Sequence, residues 1–100
     1  MRNGYKLFWS DRALEDLQKI IDYLTENWSQ KEIKTFVQKL DKRLLLILMN
    51  PLLFPSTKRR KSVRRSVLTP QTVIYYQIKE NSVSIVTLFD SRQSPRKLKL

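Results

Sequence analysis

Lys58-Arg59-Arg60-Lys61 and Arg64-Arg65 place six basic side chains within eight residues. Groups of this type hold phosphates or carboxylates through charge-assisted hydrogen bonds. Each phosphate contacted releases counterions, so binding of this kind is steeply salt-dependent. Arg92, Arg96 and Lys97 form a second basic group near the C-terminus. Between the two lie Tyr75 and Tyr76, whose rings can stack on a base or pack against a partner side chain. Together these residues are the candidate target-binding set. The competing description is a solvated loop and a frayed tail, but solubility alone would not require such clustering.

The sequence contains neither cysteine nor histidine. That removes disulfides, thiolate nucleophiles, the commonest metal ligand and the usual general acid or base near neutral pH. Any catalysis would rest on Lys, Arg, Tyr, Asp or Glu, and neither a metal nor a cofactor is expected. Asp16 and Asp22 read as solvent-face carboxylates without a partner for acid–base work.

The 20 Lys and Arg against nine Asp and Glu give a net charge of +11. Residues 1–50 hold nine basic and seven acidic side chains, whereas residues 51–100 hold eleven and two. The second half therefore carries nearly all the excess, which predicts a polyanionic or acidic protein partner. The start, Met1-Arg2-Asn3-Gly4, lacks the apolar core of a signal peptide. The longest apolar run, residues 44–49, is far short of the ~20 residues of a membrane span. A cytoplasmic location away from membranes is expected.

One hundred residues with 41% hydrophobic content suit one domain over 1–100. Tyr5-Lys6-Leu7-Phe8-Trp9 reads as a first strand. Ser10 is a helix cap, and Leu14, Leu17, Ile21, Leu24 and Trp28 follow as one apolar stripe. Trp9 and Trp28 are both assigned to the core. Ser29-x-x-Glu32 has the form of a capping box before a second helix. That helix buries Ile33, Phe36, Val37, Leu40, Leu44, Ile47 and Leu48 and ends at Asn50-Pro51. With almost nothing between them, the helices must form an antiparallel hairpin. From Val63 the period becomes two, giving strands over 63–68, 72–78 and 83–89 joined by short turns. The predicted class is α+β in the order β-α-α-β-β-β, a helical hairpin packed on a small, mainly antiparallel sheet. Alternation sends Arg64 and Arg65 to opposite faces, and Tyr75 and Tyr76 likewise. Which of each pair faces a groove stays open.

This layout resembles the RelE/ParE superfamily of bacterial toxins over essentially the whole chain. The resemblance is carried by Trp9-Ser10-x-x-Ala13-x-x-Asp16-Leu17-x-x-Ile20, Tyr23-Leu24, Trp28-Ser29, Asn50-Pro51 and Arg64-Arg65. It continues through Val73-Ile74-Tyr75-Tyr76-Gln77-Ile78 and Leu88-Phe89-Asp90-x-Arg92-Gln93-x-Pro95. It implies the toxin of a type II toxin–antitoxin module, bound by a cognate antitoxin in a hetero-oligomer. It also implies an acidic, amphipathic antitoxin segment over the groove between sheet and helical hairpin.

Two activities occur in the superfamily, ribosome-dependent mRNA cleavage by RelE-like members and inhibition of DNA gyrase by ParE-like members. The cleaving members use strand arginines, a C-terminal basic residue and often a terminal Tyr. Carried onto this sequence, the basic pair falls on Arg64 and Arg65 and the C-terminal residue on Arg92. The remaining strand arginine falls at Val73 or Thr72, and the terminal Tyr near Leu98. Two of the four elements are thus absent. The residues favour the ParE-like, non-enzymatic reading, with the endoribonuclease or a non-toxic nucleic-acid-binding module as alternatives.

Overall fold

The computed structural model describes residues 4–92. The element order is β1 (Lys6–Trp9), α1 (Asp11–Asn27), α2 (Gln30–Met49), β2 (Val63–Val67), β3 (Thr72–Lys79) and β4 (Ser82–Asp90). The strands form one sheet in the order β1-β4-β3-β2. β2, β3 and β4 are an antiparallel meander, and β1 adds parallel to β4. Ala13, Ile20 and Leu24 of α1 and Phe36, Leu40, Leu44 and Ile47 of α2 meet Ile74, Tyr76, Val83, Ile85 and Leu88 in one core. A helical pair packed on a mixed sheet is the class expected from the sequence.

The first helix is built where β1 ends. Ser10 Oγ accepts the Ala13 N–H at 2.9 Å and donates to the Val86 carbonyl at 2.7 Å. Val86 is the extra residue of a β-bulge, lying between the pairs Tyr75–Thr87 and Tyr76–Ile85. A bulged residue loses its ladder partner, and Ser10 supplies one while capping α1. β1 pairs with β4 only as far as Ile85, so the edge of β4 beyond it has no strand beside it. Asp16 fills that gap by accepting the Leu88 N–H at 3.2 Å and the Thr87 hydroxyl. Asp16 is therefore not the solvent-face carboxylate expected from the sequence. Asp22 is exposed and receives Gln18 Nε2.

The buried face of α1 is rotated relative to the predicted stripe. Leu14 is 50% exposed and Trp28 53% exposed, whereas Ala13 and Ile20 are buried. The short connection from β1 and the Asp16 tether bring the first turn close against the sheet, where Ala13 fits. Trp28 is the C-cap and points away, so its assignment to the core is corrected; Trp9 does pack against the core. Val37 is similarly more than a third exposed. The predicted capping box is also absent. Ser29 is the N-cap of α2, but its hydroxyl donates to the Glu32 carboxylate at 2.8 Å rather than accepting a backbone N–H.

The other edge of the sheet is closed by the chain itself. After α2, residues 55–57 run beside β2, with Thr57 N–H on the Val63 carbonyl at 2.7 Å and Arg65 N–H on the Pro55 carbonyl at 3.0 Å. Arg43 of α2 covers the rest, donating to Ser66 Oγ at 2.7 Å and to the Val67 carbonyl at 2.6 Å. Its guanidinium lies 5.4 Å from the Phe54 ring centroid.

Candidate functional site

Register decides where each candidate side chain goes. On β2, Arg64 pairs with Tyr76 and Arg65 with Tyr75. Tyr76 belongs to the core between sheet and helices, so Arg64 leaves the strand on the helix side and Arg65 on the open side. Arg64 donates to the Phe54 carbonyl at 2.7 Å and is half-buried. Arg65 is exposed.

The two tyrosines are both buried. Tyr76 is 0% exposed and its hydroxyl donates to the Pro51 carbonyl at 2.7 Å, tying the sheet to the end of α2. Burial pushes its pKa above the ordinary value, with the Arg64 charge acting in the opposite direction. Tyr75 points to the open side but is only 6% exposed, since residues 55–59 fold over it. Neither ring is free to stack on a base.

Arg92 follows β4 and turns back to the helix side. It forms an ion pair with Asp90, to which its Nε also donates at 2.8 Å, and its guanidinium lies 4.8 Å from the Tyr23 ring centroid on α1. Its hydrogen bonds to the Asp90 carboxylate raise its pKa further above that of a free guanidinium. Asp90 is itself buried beside Thr72. Arg43 was not singled out from the sequence, and Asp90 and Tyr23 entered only as residues of the family resemblance, without a role. Their partners lie far away in the chain, or in Asp90's case only the fold buries the pair. Arg96 and Lys97 lie outside the described residues.

Lys58, Arg59, Arg60 and Lys61 are all exposed. Two of them, Lys58 and Arg59, join Arg65 around a cavity of ≈400 Å³ on the open face. A second depression of ≈450 Å³ lies between α2 and the end of β2, lined by Lys39, Lys42, Arg43, Leu46 and Leu68. Its mixture of cations and leucines suits an acidic, amphipathic segment. Where cleaving toxins carry a further strand arginine, Val73 sits between Val67 and Phe89 on the open face, and Thr72 is fully buried. Among the described residues no three His, Cys, Asp or Glu side chains come together to hold a metal ion. No described helix is long and apolar enough to cross a membrane.

A family model described as the ParE toxin of the type II toxin–antitoxin system parDE matches residues 7–95. The chain belongs to the ParE toxin family. Solved structures of low sequence identity share the fold of this ParE-family chain. It is similar to a chain of the chromosomal ParDE toxin–antitoxin system from P. aeruginosa, with a TM-score of 0.73 and 16% identity over 87% of this chain and 96% of that one. A chain of the E. coli DinJ-YafQ toxin–antitoxin complex gives 0.63 at 12% identity, covering 90% and 96%. The YoeB dimer from Staphylococcus aureus gives 0.61 at 17% identity, covering 87% and 97%. A search of curated proteins by sequence finds no match.

Proposed function

We propose that this ParE-family toxin is neutralised by a cognate antitoxin and acts by inhibiting DNA gyrase, without cutting RNA. The observation that carries this reading is the division of its arginines between two faces of the sheet. A nuclease must gather its cations around one phosphate, because each stabilises charge developing at the same atoms. Here Arg65 is on the open face, while Arg64 and Arg92 are on the helix side and occupied by Phe54, Asp90 and Tyr23. Arg92 and Arg64 are also separated along the sheet. Asp90 pairs with Thr72 and Arg64 with Tyr76, four residues or about 13 Å further along β3. The apolar Val73 and the absence of histidine support the same conclusion.

Inducible expression in bacteria lacking the antitoxin, with pulse labelling of DNA and protein synthesis, tests this directly. DNA synthesis is expected to fall first, and purified protein to inhibit gyrase supercoiling. Early arrest of translation, with specific cuts in mRNA on programmed ribosomes, would replace this reading with the endoribonuclease.

A further inference from the structure

The open-face cavity combines three cations and no carboxylate. Lys58 and Arg59 enter from the loop and Arg65 from β2, with Ser56 and Thr57 on the same rim. We propose that this cavity is a phosphodiester subsite, which takes backbone phosphates of a nucleic acid without reading its bases. Under the gyrase reading, on which the choice of ligand source rests, the phosphates are those of DNA held at the enzyme.

The site is built before any ligand arrives. Besides the two backbone bonds joining residues 55–57 to β2, the Thr57 hydroxyl donates to the Arg60 carbonyl at 2.6 Å and accepts the Arg60 N–H at 3.1 Å. The two backbone bonds are those of an antiparallel β-bridge between Ser56 and Arg64. The tip carrying Lys58 and Arg59 is therefore tied at both ends, and little backbone entropy is lost on binding. No described carboxylate pairs with Lys58, Arg59 or Arg65, so their charges face solvent uncompensated. An arginine fork opposite a second arginine and a lysine suits the two free oxygens of a phosphodiester.

The same geometry limits what the cavity does. Tyr75 is covered, so no exposed ring in the wall offers a stacking surface. Binding is then sequence-independent and dominated by counterion release. No carboxylate in the wall can accept the proton of a 2′-hydroxyl, and the Thr57 hydroxyl is already spent on Arg60. The cavity binds a backbone and leaves it intact.

The experiment is fluorescence anisotropy on the full chain with a labelled DNA duplex of about 20 base pairs and a single-stranded RNA of similar length, over about 50–200 mM salt. The pocket variant combines Lys58→Ala, Arg59→Ala and Arg65→Ala. A charge-matched control combines Lys19→Ala, Lys34→Ala and Lys79→Ala, all exposed and away from the cavity. The pocket variant is expected to lose at least about tenfold in duplex affinity and about two to three units of salt slope, with the control losing less than about threefold. Circular dichroism and urea midpoints verify that both variants remain folded. Equal losses in the two variants overturn the proposal, because binding would then follow net charge alone. Unchanged affinity for both nucleic acids in the pocket variant overturns it too, and leaves an acidic protein as the occupant. Pocket-dependent binding of RNA in preference to duplex supports the subsite and removes gyrase-held DNA as its source. Pocket-dependent duplex binding without any effect on gyrase supports the subsite while the gyrase reading fails.

Discussion

Arg92 holds the end of β4 to the C-terminal part of α1 through Asp90 and the Tyr23 ring. Replacing it with alanine leaves a buried carboxylate with only the Arg92 backbone N–H and a long contact to the Thr72 hydroxyl. Arg92→Ala is expected to cost about 1–3 kcal/mol of stability, read as a lower urea midpoint. An unchanged midpoint would show that Arg92 is held for another purpose. Tyr76 makes a different prediction. Its phenol is buried and its pKa lies above the ordinary value, which is about 10 for an exposed tyrosine. Above that pH the unfolded chain releases the proton while the native state keeps it, so stability falls as pH rises. Tyr76→Phe should cost about 1 kcal/mol near neutral pH by losing the bond to the Pro51 carbonyl. It should also lose stability less steeply above about pH 10. Urea titrations at neutral and alkaline pH give both quantities, and parallel pH profiles for variant and parent would refute the assignment.

At the scale of elements, the design problem is the edges of the sheet. Unpaired strand edges invite pairing with other chains, and this protein covers most of them with its own parts. Residues 55–57 and Arg43 close β2, while β1 and then Asp16 line β4. Asp16→Ala leaves the Leu88 N–H and the Thr87 hydroxyl without their acceptor and is expected to destabilise by about 1–3 kcal/mol. Asp16→Asn, which keeps one carbonyl oxygen, should cost less. Thermal melts of the two variants check the order, and equal costs would mean that the carboxylate charge matters more than the accepted hydrogen bonds. The turn between β3 and β4 shows a tolerated local misfit. Glu80 has a φ of 51°, a region that favours glycine. The pairing of Lys79 with Ser82 around it leaves only two residues to reverse the chain.

At the scale of the whole molecule, a small core coexists with many exposed apolar side chains. Leu45, Leu46, Met49, Leu52 and Leu53 all lie exposed at the end of α2 and just beyond it. A chain of this length gains limited stability from its own burial, and an antitoxin that covers such surface stabilises the folded state by mass action. At antitoxin concentrations of about 100 times Kd the gain is about 2.7 kcal/mol. The melting temperature of the toxin should rise accordingly when a cognate antitoxin is added. No rise at saturating antitoxin would contradict the proposed pairing.

The sequence by itself determined the order and type of the elements, the α+β class and the concentration of charge in the second half. Each of these follows from local patterns: period 3.6 against period 2, caps such as Ser10, breaks such as Asn50-Pro51, and simple counting. Opposite faces for Arg64 and Arg65 also followed from strand alternation alone. Only the tertiary structure decided which faces those were, because alternation has no sign until a core exists. It also rotated α1 so that Ala13 rather than Leu14 meets the sheet, since close approach after β1 selects a small residue over a more hydrophobic one. The occupation of Arg92 by Asp90 and Tyr23, and the assembly of Arg65 with Lys58 and Arg59, were likewise tertiary. Ion pairing and concave charge depend on distances in space, which neighbouring residues in a chain do not specify.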